Sequence, residues 1–355
     1  MISLKKRITE ESKVINSSNP LSVVPKKTSN NGLNLARSAK KDEFYTQLDD
    51  IEKELKHYKL HFKGKTVFCN CDDPDESNFW RYFEMNFDHL GLKKLISTHY
   101  YESRPTYKQE LFINSSGEKK FVKTNLEQNG DFRSSESIAI LKESDICVTN
   151  PPFSLFREFI AQLIEMEKKF LVLGSINAMT AKEIFPLIKN KKLWIGQSIR
   201  SGDREFRVPD DYPLQASGYR VDDKGNKYIR VKGVRWFTNM DYQDRHKDIS
   251  LCCKYHDDPS KYPTFENFNA INVGKVKDIP VDYDGVMGVP ITFIDKYNPD
   301  QFEIIMLANG NARTNTSQDI LSQVSYRPHS KDKGGVGIIN DQRVYARVLI
   351  RRKSL

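Results

Sequence analysis

The sequence predicts an α/β fold with a mostly parallel sheet, followed by a second, more irregular region. Three observations point there. Short apolar runs rich in β-branched residues, such as Ile146–Val148 and Phe170–Leu173, have the length of strands buried on both faces. Amphipathic helical stretches alternate with them, as in βαβ units. One run, Asp145-Ile146-Cys147-Val148-Thr149-Asn150, stops at Pro151 and Pro152, which have no N–H for a ladder. Because Pro152 also keeps Pro151 extended, a stiff loop must sit at the carboxyl end of that strand, where open α/β sheets bind ligands.

Taken in order, residues 1–41 are rich in Ser, Asn and Lys with little periodicity and read as a flexible basic arm. Asp42–Gln47 leads into an amphipathic helix, Leu48 to Phe62, then a strand, Lys65–Asn70, and a polar turn, Cys71–Asp75. Ser77 is placed to cap a helix from Asn78 to Leu90, whose Phe79, Trp80, Phe83 and Phe87 share one face and read as core. Lys94–Tyr100 is a second strand ending near Glu102, residues 103–119 an exposed hairpin or loop, and Phe121–Lys123 an edge-like strand. A helix from Glu136 to Lys142 leads into the Asn150 strand, and Ser154–Lys168 has apolar residues at helical spacing after it. Phe170–Leu173 is a strand, Ala181–Lys189 a helix and Leu193–Ile195 a strand, and Lys227–Phe237 alternates as an antiparallel strand closing the sheet. From about Asp241 the chain turns irregular and rich in Asn, Asp, Tyr and Pro, ending on an alternating basic strand, Arg343–Arg352. The expected division is an arm (1–41), a catalytic domain (42–240) and a target-recognition region (241–355).

Asn150-Pro151-Pro152-Phe153 carries the chemistry. The lone pair of an exocyclic amine such as adenine N6 is delocalised into the ring, so the amine is a poor nucleophile. Two acceptors, the Asn150 side-chain oxygen and the Pro151 carbonyl, can take both amine hydrogens and aim the lone pair at an electrophile without a general base. Phe153 can stack on a base extruded from a duplex.

Composition narrows the partner. Net charge is +9 over 355 residues, and the first 41 hold nine Lys/Arg against Glu10 and Glu11, leaving only +2 for the remainder. A polyanion is the expected partner, with arm residues such as Lys26, Lys27 and Arg37 on phosphates. Arg200, Arg204, Arg207, Arg235, Arg245, His246, Lys247 and Asn272 are candidates for base edges or phosphates. Five cysteines in C-x-C and C-C spacing, with no matching histidines, argue against both a zinc site and a disulfide framework, so no metal is expected. With no apolar run near 18 residues and no signal peptide, a soluble, cytoplasmic protein is expected.

Several motifs in order carry a resemblance: DEFYTQ (42–47), VFCNCDDP (67–74), GDFRSSES (130–137), VTNPPF (148–153) and GVMGVPITF (285–293). Together they resemble the EcoRI-type adenine-specific DNA methyltransferases over about residues 40–306 and the final strand. The resemblance implies an S-adenosylmethionine-dependent, Rossmann-like fold with seven strands, the last antiparallel. It also implies a monomer that methylates adenine N6 in a short duplex site by base flipping, paired with a restriction endonuclease acting at the same site. Carried over by position, Asn150, Pro151, Pro152 and Phe153 form the catalytic loop, Asn150 also bordering the cofactor. Asp131 and Phe132 meet the adenosyl group, Phe44, Tyr45 and Thr46 line its methionine end, and Glu102 falls where an acid holds the ribose. Asn70, Asp72 and Asp73 occupy the end of the first strand and its turn. There the sequence departs from the wider methyltransferase pattern, because no G-x-G is present and the close backbone approach that glycine permits is lost. Two alternatives stay open: a DNA-binding module without turnover, and an amino-methyltransferase acting on a non-DNA acceptor.

Overall fold

A computed structural model describes residues 44–102, 104–210, 212 and 218–353. The arm, with Lys26, Lys27 and Arg37, lies outside the described residues. The chain begins with β1 (Tyr45–Thr46), helices Leu48–Leu55 and Lys59–Phe62, β2 (Thr66–Cys69), helices Asn78–Met85 and Phe87–Leu90, and β3 (Lys94–Thr98). A hairpin of β4 (Tyr107–Ile113) and β5 (Lys119–Asn125) precedes helix Ser135–Glu143, β6 (Ile146–Thr149), helix Phe156–Glu165 and β7 (Lys169–Ser175). Helix Phe185–Lys189 leads to β8 (Trp194–Ile195), β9 (Asp203–Val208), β10 (Arg220–Val221), β11 (Lys227–Lys232) and β12 (Val234–Thr238). Then come β13 (Ile271–Asn272), β14 (Met287–Pro290), β15 (Phe302–Ala308), helices Ala312–Asn315 and Gln318–Gln323, the short pair β16 (Ile338–Ile339) and β17 (Gln342–Arg343), and β18 (Arg347–Arg352).

The main sheet has the order β5-β4-β3-β2-β6-β7-β12-β8. Its four central strands, β3, β2, β6 and β7, are parallel, and antiparallel pairs flank them on both sides. It therefore has eight strands where seven were expected, because the stretch read as hairpin or loop supplies β4 beside the anticipated edge strand. Buried side chains alternate between its faces, as the two-residue strand period requires. Val67, Cys69, Ile146, Val148, Leu171 and Leu173 pack under the aromatic helices that carry Phe62, Phe79 and Phe83. Phe68, Cys147, Phe170 and Val172 face the opposite way, onto Phe156, Phe159, Ile160 and Leu163. Helices thus cover both faces of the parallel strands, which is why those strands read as apolar runs rather than alternations.

Four expected elements break, the terminal strand Arg343–Arg352 dividing between β17 and β18 in different sheets. The helix read from Leu48 to Phe62 is two helices, interrupted before Tyr58, whose hydroxyl donates to buried Glu54 at 2.8 Å. The helix from Asn78 to Leu90 divides at Asn86, though Ser77 caps its start as expected, accepting from the Phe79 N–H. Lys227–Phe237 splits at Gly233. That glycine has φ +68°, and a Cβ there would lie 2.7 Å from Ile176 Cγ2. The bend sends β11 into a second sheet, β1-β9-β11-β10, while β12 joins the main sheet antiparallel as expected but lies between β7 and β8, so β8 and not β12 is the edge.

Beyond residue 241 a four-stranded sheet, β13-β14-β18-β15, shares the core of the main sheet through Met287, Val289, Ile304, Val348 and Ile350. Its opposite side, with Phe265, Phe268 and Leu349, closes a smaller core. A buried ion pair, Arg235 Nε to Asp295 Oδ1 at 2.8 Å, joins β12 to this region. Among the described residues, no helix is long and apolar enough to cross a membrane.

Candidate active site

Adjacent parallel strands bring their carboxyl ends together, so Asn70 after β2, His99 after β3 and Asn150 after β6 share one rim. Asn150 is 7 % exposed. Its Nδ2 donates to the Phe44 carbonyl at 2.5 Å, whereas its buried Oδ1 has no partner. A buried amide oxygen left unpaired is costly unless something else occupies it. With the nitrogen pinned by a backbone carbonyl, the oxygen is the only acceptor the side chain offers.

The segment that supplies that carbonyl is itself held. β1 pairs with β9, Tyr45 opposite Arg207, and Asn78 Nδ2 donates to the Thr46 carbonyl at 2.8 Å. The Phe44 ring is buried against Phe206 and Tyr212 and meets Phe153 edge-on at 5.9 Å. Phe153 itself is half-buried, three residues after Asn150 in the loop. Thr46 Oγ1 and Asn70 Nδ2 are further buried polar atoms without partners.

Asp72 stands elsewhere than expected. It is 6 % exposed and turned inward, accepting from Ser77 Oγ at 2.7 Å, from the Thr149 hydroxyl and from the Asn150 N–H. Burial pushes its carboxyl up to about 6, with those donors acting against the rise. A carboxylate buried this far, with three internal donors on its oxygens, faces the protein interior, against the expectation of a direct cofactor contact. Asp73 does reach outward. It accepts from Tyr107 Oη at 2.8 Å and lies 3.6 Å from His99 Nε2. His99 is depressed by burial, with the Asp73 charge opposing that shift.

Asp131 pairs with Arg133, Nη2 to Oδ2 at 2.6 Å and Nε to Oδ1 at 2.9 Å, and the hydrogen bonds from Arg133 hold its carboxyl below the ordinary value. An acceptor for an adenine amine is thus present but engaged. Phe132 is buried edge-on to Phe159 at 5.0 Å, and Glu102 is exposed. Sequence reasoning passed over Thr149 and Tyr107. Their signal was positional: Thr149 precedes the loop asparagine on β6, while Tyr107 stands on β4, in the stretch expected as an exposed hairpin or loop.

The candidate readers divide. Arg235, 4 % exposed and bound twice to Asp295 at 2.8 and 3.0 Å, is corrected to a structural ion pair. Arg245 is likewise corrected. Its side chain is 8 % exposed, with the guanidinium 3.9 Å from the Trp194 ring and 3.4 Å from Asp241. His246 has both ring nitrogens engaged, by Asp300 at 2.7 Å and Asp241 at 2.9 Å, which raises its pKa. Asn272 accepts from Arg347 Nε at 2.9 Å. Arg200 bonds Gln197, Arg204 lies 3.6 Å from Asp50, and Arg207 bonds Glu76 at 2.8 Å. The last two stand on β9 beside β1, hence near the Asn150 rim. Glu266, His329 and Asp341 bring one ligand atom each within 4.8 Å of one another, and this cluster is empty. The His329 Nδ1 accepts the Lys331 N–H, however, which leaves the Nε2 proton facing the two carboxylates.

A doubly wound sheet with an Asn-Pro-Pro-Phe loop at its carboxyl rim defines the class of amino-methyltransferases. The family described as adenine-specific methyltransferase EcoRI matches residues 32–353. The Type II methyltransferase M.EcoRI of Escherichia coli is 48 % identical over 291 residues, covering 78 % of this chain and 89 % of that protein. M.MpnI of Mycoplasma pneumoniae is 40 % identical over 324 residues (90 % and 98 %) and M.MgeORF184P of Mycoplasma genitalium 39 % over 326 (91 % and 99 %), both Type II methyltransferases. No solved structure gives a significant match. The chain belongs to the EcoRI family of adenine-specific methyltransferases and is a site-specific DNA-methyltransferase of the restriction–modification kind.

Proposed function

We propose that the Asn150 loop presents adenine N6, in a base extruded from a short duplex DNA site, to the methyl group of S-adenosylmethionine. The observation that carries this reading is the Asn150 amide, with its nitrogen pinned to Phe44 and its buried oxygen free. That oxygen and the Pro151 carbonyl accept the two N6 hydrogens, and Phe153 stacks on the base. S-adenosylmethionine, when bound, supplies an electrophilic methyl on sulfur. Transfer would form the N6–C bond as the donor's C–S bond breaks, and the surplus N6 proton would leave to water. Asn70, Asp73, Thr46 and Tyr45 line the cofactor side, and Asp131 and Phe132 take the adenosyl end once Arg133 yields its place on Asp131. The absence of a Gly-rich turn fits a rim that offers side chains instead of bare backbone.

Residues 42–240 serve as the catalytic part and 241–355 as the target-recognition region. The protein acts as a cytoplasmic monomer on double-stranded DNA, alongside an endonuclease that cuts the same sequence. Arg204 and Arg207, on the strand next to β1, are positioned for phosphates flanking the flipped base, with Arg200 and Lys247 further along the surface.

The test is Asn150→Ala in single-turnover transfer to duplex DNA. Removing a preorganised acceptor raises the barrier by about 3 kcal/mol or more, with cofactor affinity little changed. Turnover near that of the parent protein would remove Asn150 from the chemistry.

A further inference from the structure

We propose that Asp72 is a positioning residue for methyl transfer, holding the backbone of Asn150 in its productive place through a buried, hydrogen-bonded carboxylate. The inference rests on the role proposed above for Asn150. Thr149 ends β6 and Asn150 follows it, and both donate to Asp72: the threonine through its hydroxyl, the asparagine through its N–H. The Thr149 oxygen in turn accepts the Cys71 N–H at 3.0 Å, tying the turn after β2 to the end of β6. Asp72 is anchored on the far side as well. Its N–H donates to the Thr98 carbonyl at 2.9 Å, and its own carbonyl accepts from Ser97 Oγ at 2.5 Å. One residue therefore stitches β3, the turn after β2 and the catalytic loop together, while Asn150 Oδ1 stays buried without a partner.

The carboxylate has no cationic partner among the groups that act on it. The titratable groups around it include the Cys69 thiol from β2, the Cys147 thiol from β6, and Cys71 and Asp73 in its own turn. The helix that follows contributes only the Ser77 hydroxyl, and β3 only Ser97, since His99 faces Asp73. Burial without a counter-charge keeps the carboxyl neutral to higher pH than usual, to about 6. Protonation adds a donor where three donors already converge. The two hydroxyls can rotate to accept, but the Asn150 N–H cannot, so the clamp on the loop loosens on the acid side.

The experiment is single-turnover methyl transfer to duplex DNA at saturating S-adenosylmethionine across pH 5–8. It compares the parent protein, Asp72→Asn, Thr149→Val, Thr149→Ser and Asn150→Ala, with cofactor and DNA binding measured in parallel. Displacing a reacting group by a fraction of an ångström costs about tenfold or more in rate. Asp72→Asn and Thr149→Val are expected to lose that much in rate while cofactor and DNA affinities hold. The acid limb of the parent profile should vanish in Asp72→Asn, and Thr149→Ser should restore the rate. The inference is overturned if Asp72→Asn loses cofactor binding but keeps its saturated rate, since the carboxylate would then be a cofactor ligand. An acid limb that persists unchanged in Asp72→Asn also overturns it. Should Asp72→Asn not fold, the Thr149→Val and Thr149→Ser pair decides alone. An inactive Asn150→Ala beside fully active Asp72 and Thr149 variants refutes the clamp only, whereas an active Asn150→Ala refutes the reading beneath it.

Discussion

Replacing Arg235 with alanine separates a structural role from a reading role. The guanidinium makes four hydrogen bonds: to Asp295 Oδ1 and Oδ2 at 2.8 and 3.0 Å, to the Arg200 carbonyl at 2.8 Å and to the Val234 carbonyl at 2.9 Å. Both charged side chains are 4 % exposed, so solvent cannot replace the lost partner. Breaking such a pair from one side costs about 3–5 kcal/mol, because the remaining charge stays buried. Burial already raises the Asp295 carboxyl even with Arg235 opposing it, and the variant raises it further. A carboxyl whose folded pKa lies above its unfolded value holds its proton more tightly in the folded state. Stability therefore falls as pH rises between those two values, and the defect of Arg235→Ala should be smaller near pH 5 than at pH 7.5. Chemical denaturation of the parent, Arg235→Ala and the Arg235→Met/Asp295→Leu pair checks this, the apolar pair recovering most of the loss. A stability change for Arg235→Ala within about 0.5 kcal/mol, the range of surface substitutions, would refute the reasoning. An altered methylated sequence in that equally stable variant would return Arg235 to base reading.

Phe153→Ala should weaken capture of the extruded adenine by about 1–3 kcal/mol, the worth of one stacked base, with cofactor affinity unchanged. Fluorescence of 2-aminopurine at the target position reads this, and unchanged emission on binding would count against the stacking role. Deleting residues 1–37 removes seven of the Lys/Arg of the arm and should flatten the salt dependence of DNA binding; an unchanged slope would make the arm inert. Gly130→Ala should destabilise the protein by more than about 1 kcal/mol, since Gly130 has φ +76° and a Cβ would lie 2.0 Å from the His99 carbonyl oxygen. A melting temperature equal to the parent's would contradict that.

The parallel core of the fold was legible because strands buried on both faces must carry apolar runs, and β2, β6 and β7 do in Val67–Cys69, Ile146–Val148 and Phe170–Leu173. Helix ends set by tertiary contacts were not. The break before Tyr58 depends on packing against distant residues such as Tyr242, which no window of local sequence contains. The turn at Gly233 was hidden because both halves of Lys227–Phe237 keep strand alternation while entering different sheets. At the site, the Asn150 loop was legible because two prolines end a strand in only one way. Partner choice was not legible. Asp72 and Asp73 are neighbours of identical chemistry, yet one is sealed under Thr149 and Ser77 while the other faces Tyr107 and His99. Likewise an arginine reads the same whether it meets DNA or a buried Asp295.

The most direct measurement is mapping of N6-methyladenine in DNA co-expressed with the parent protein and with Asn150→Ala. The account predicts methylation confined to one short sequence with the parent protein and none with the variant. Equal methylation by both, or no methylated adenine from parent protein that binds S-adenosylmethionine, would contradict it.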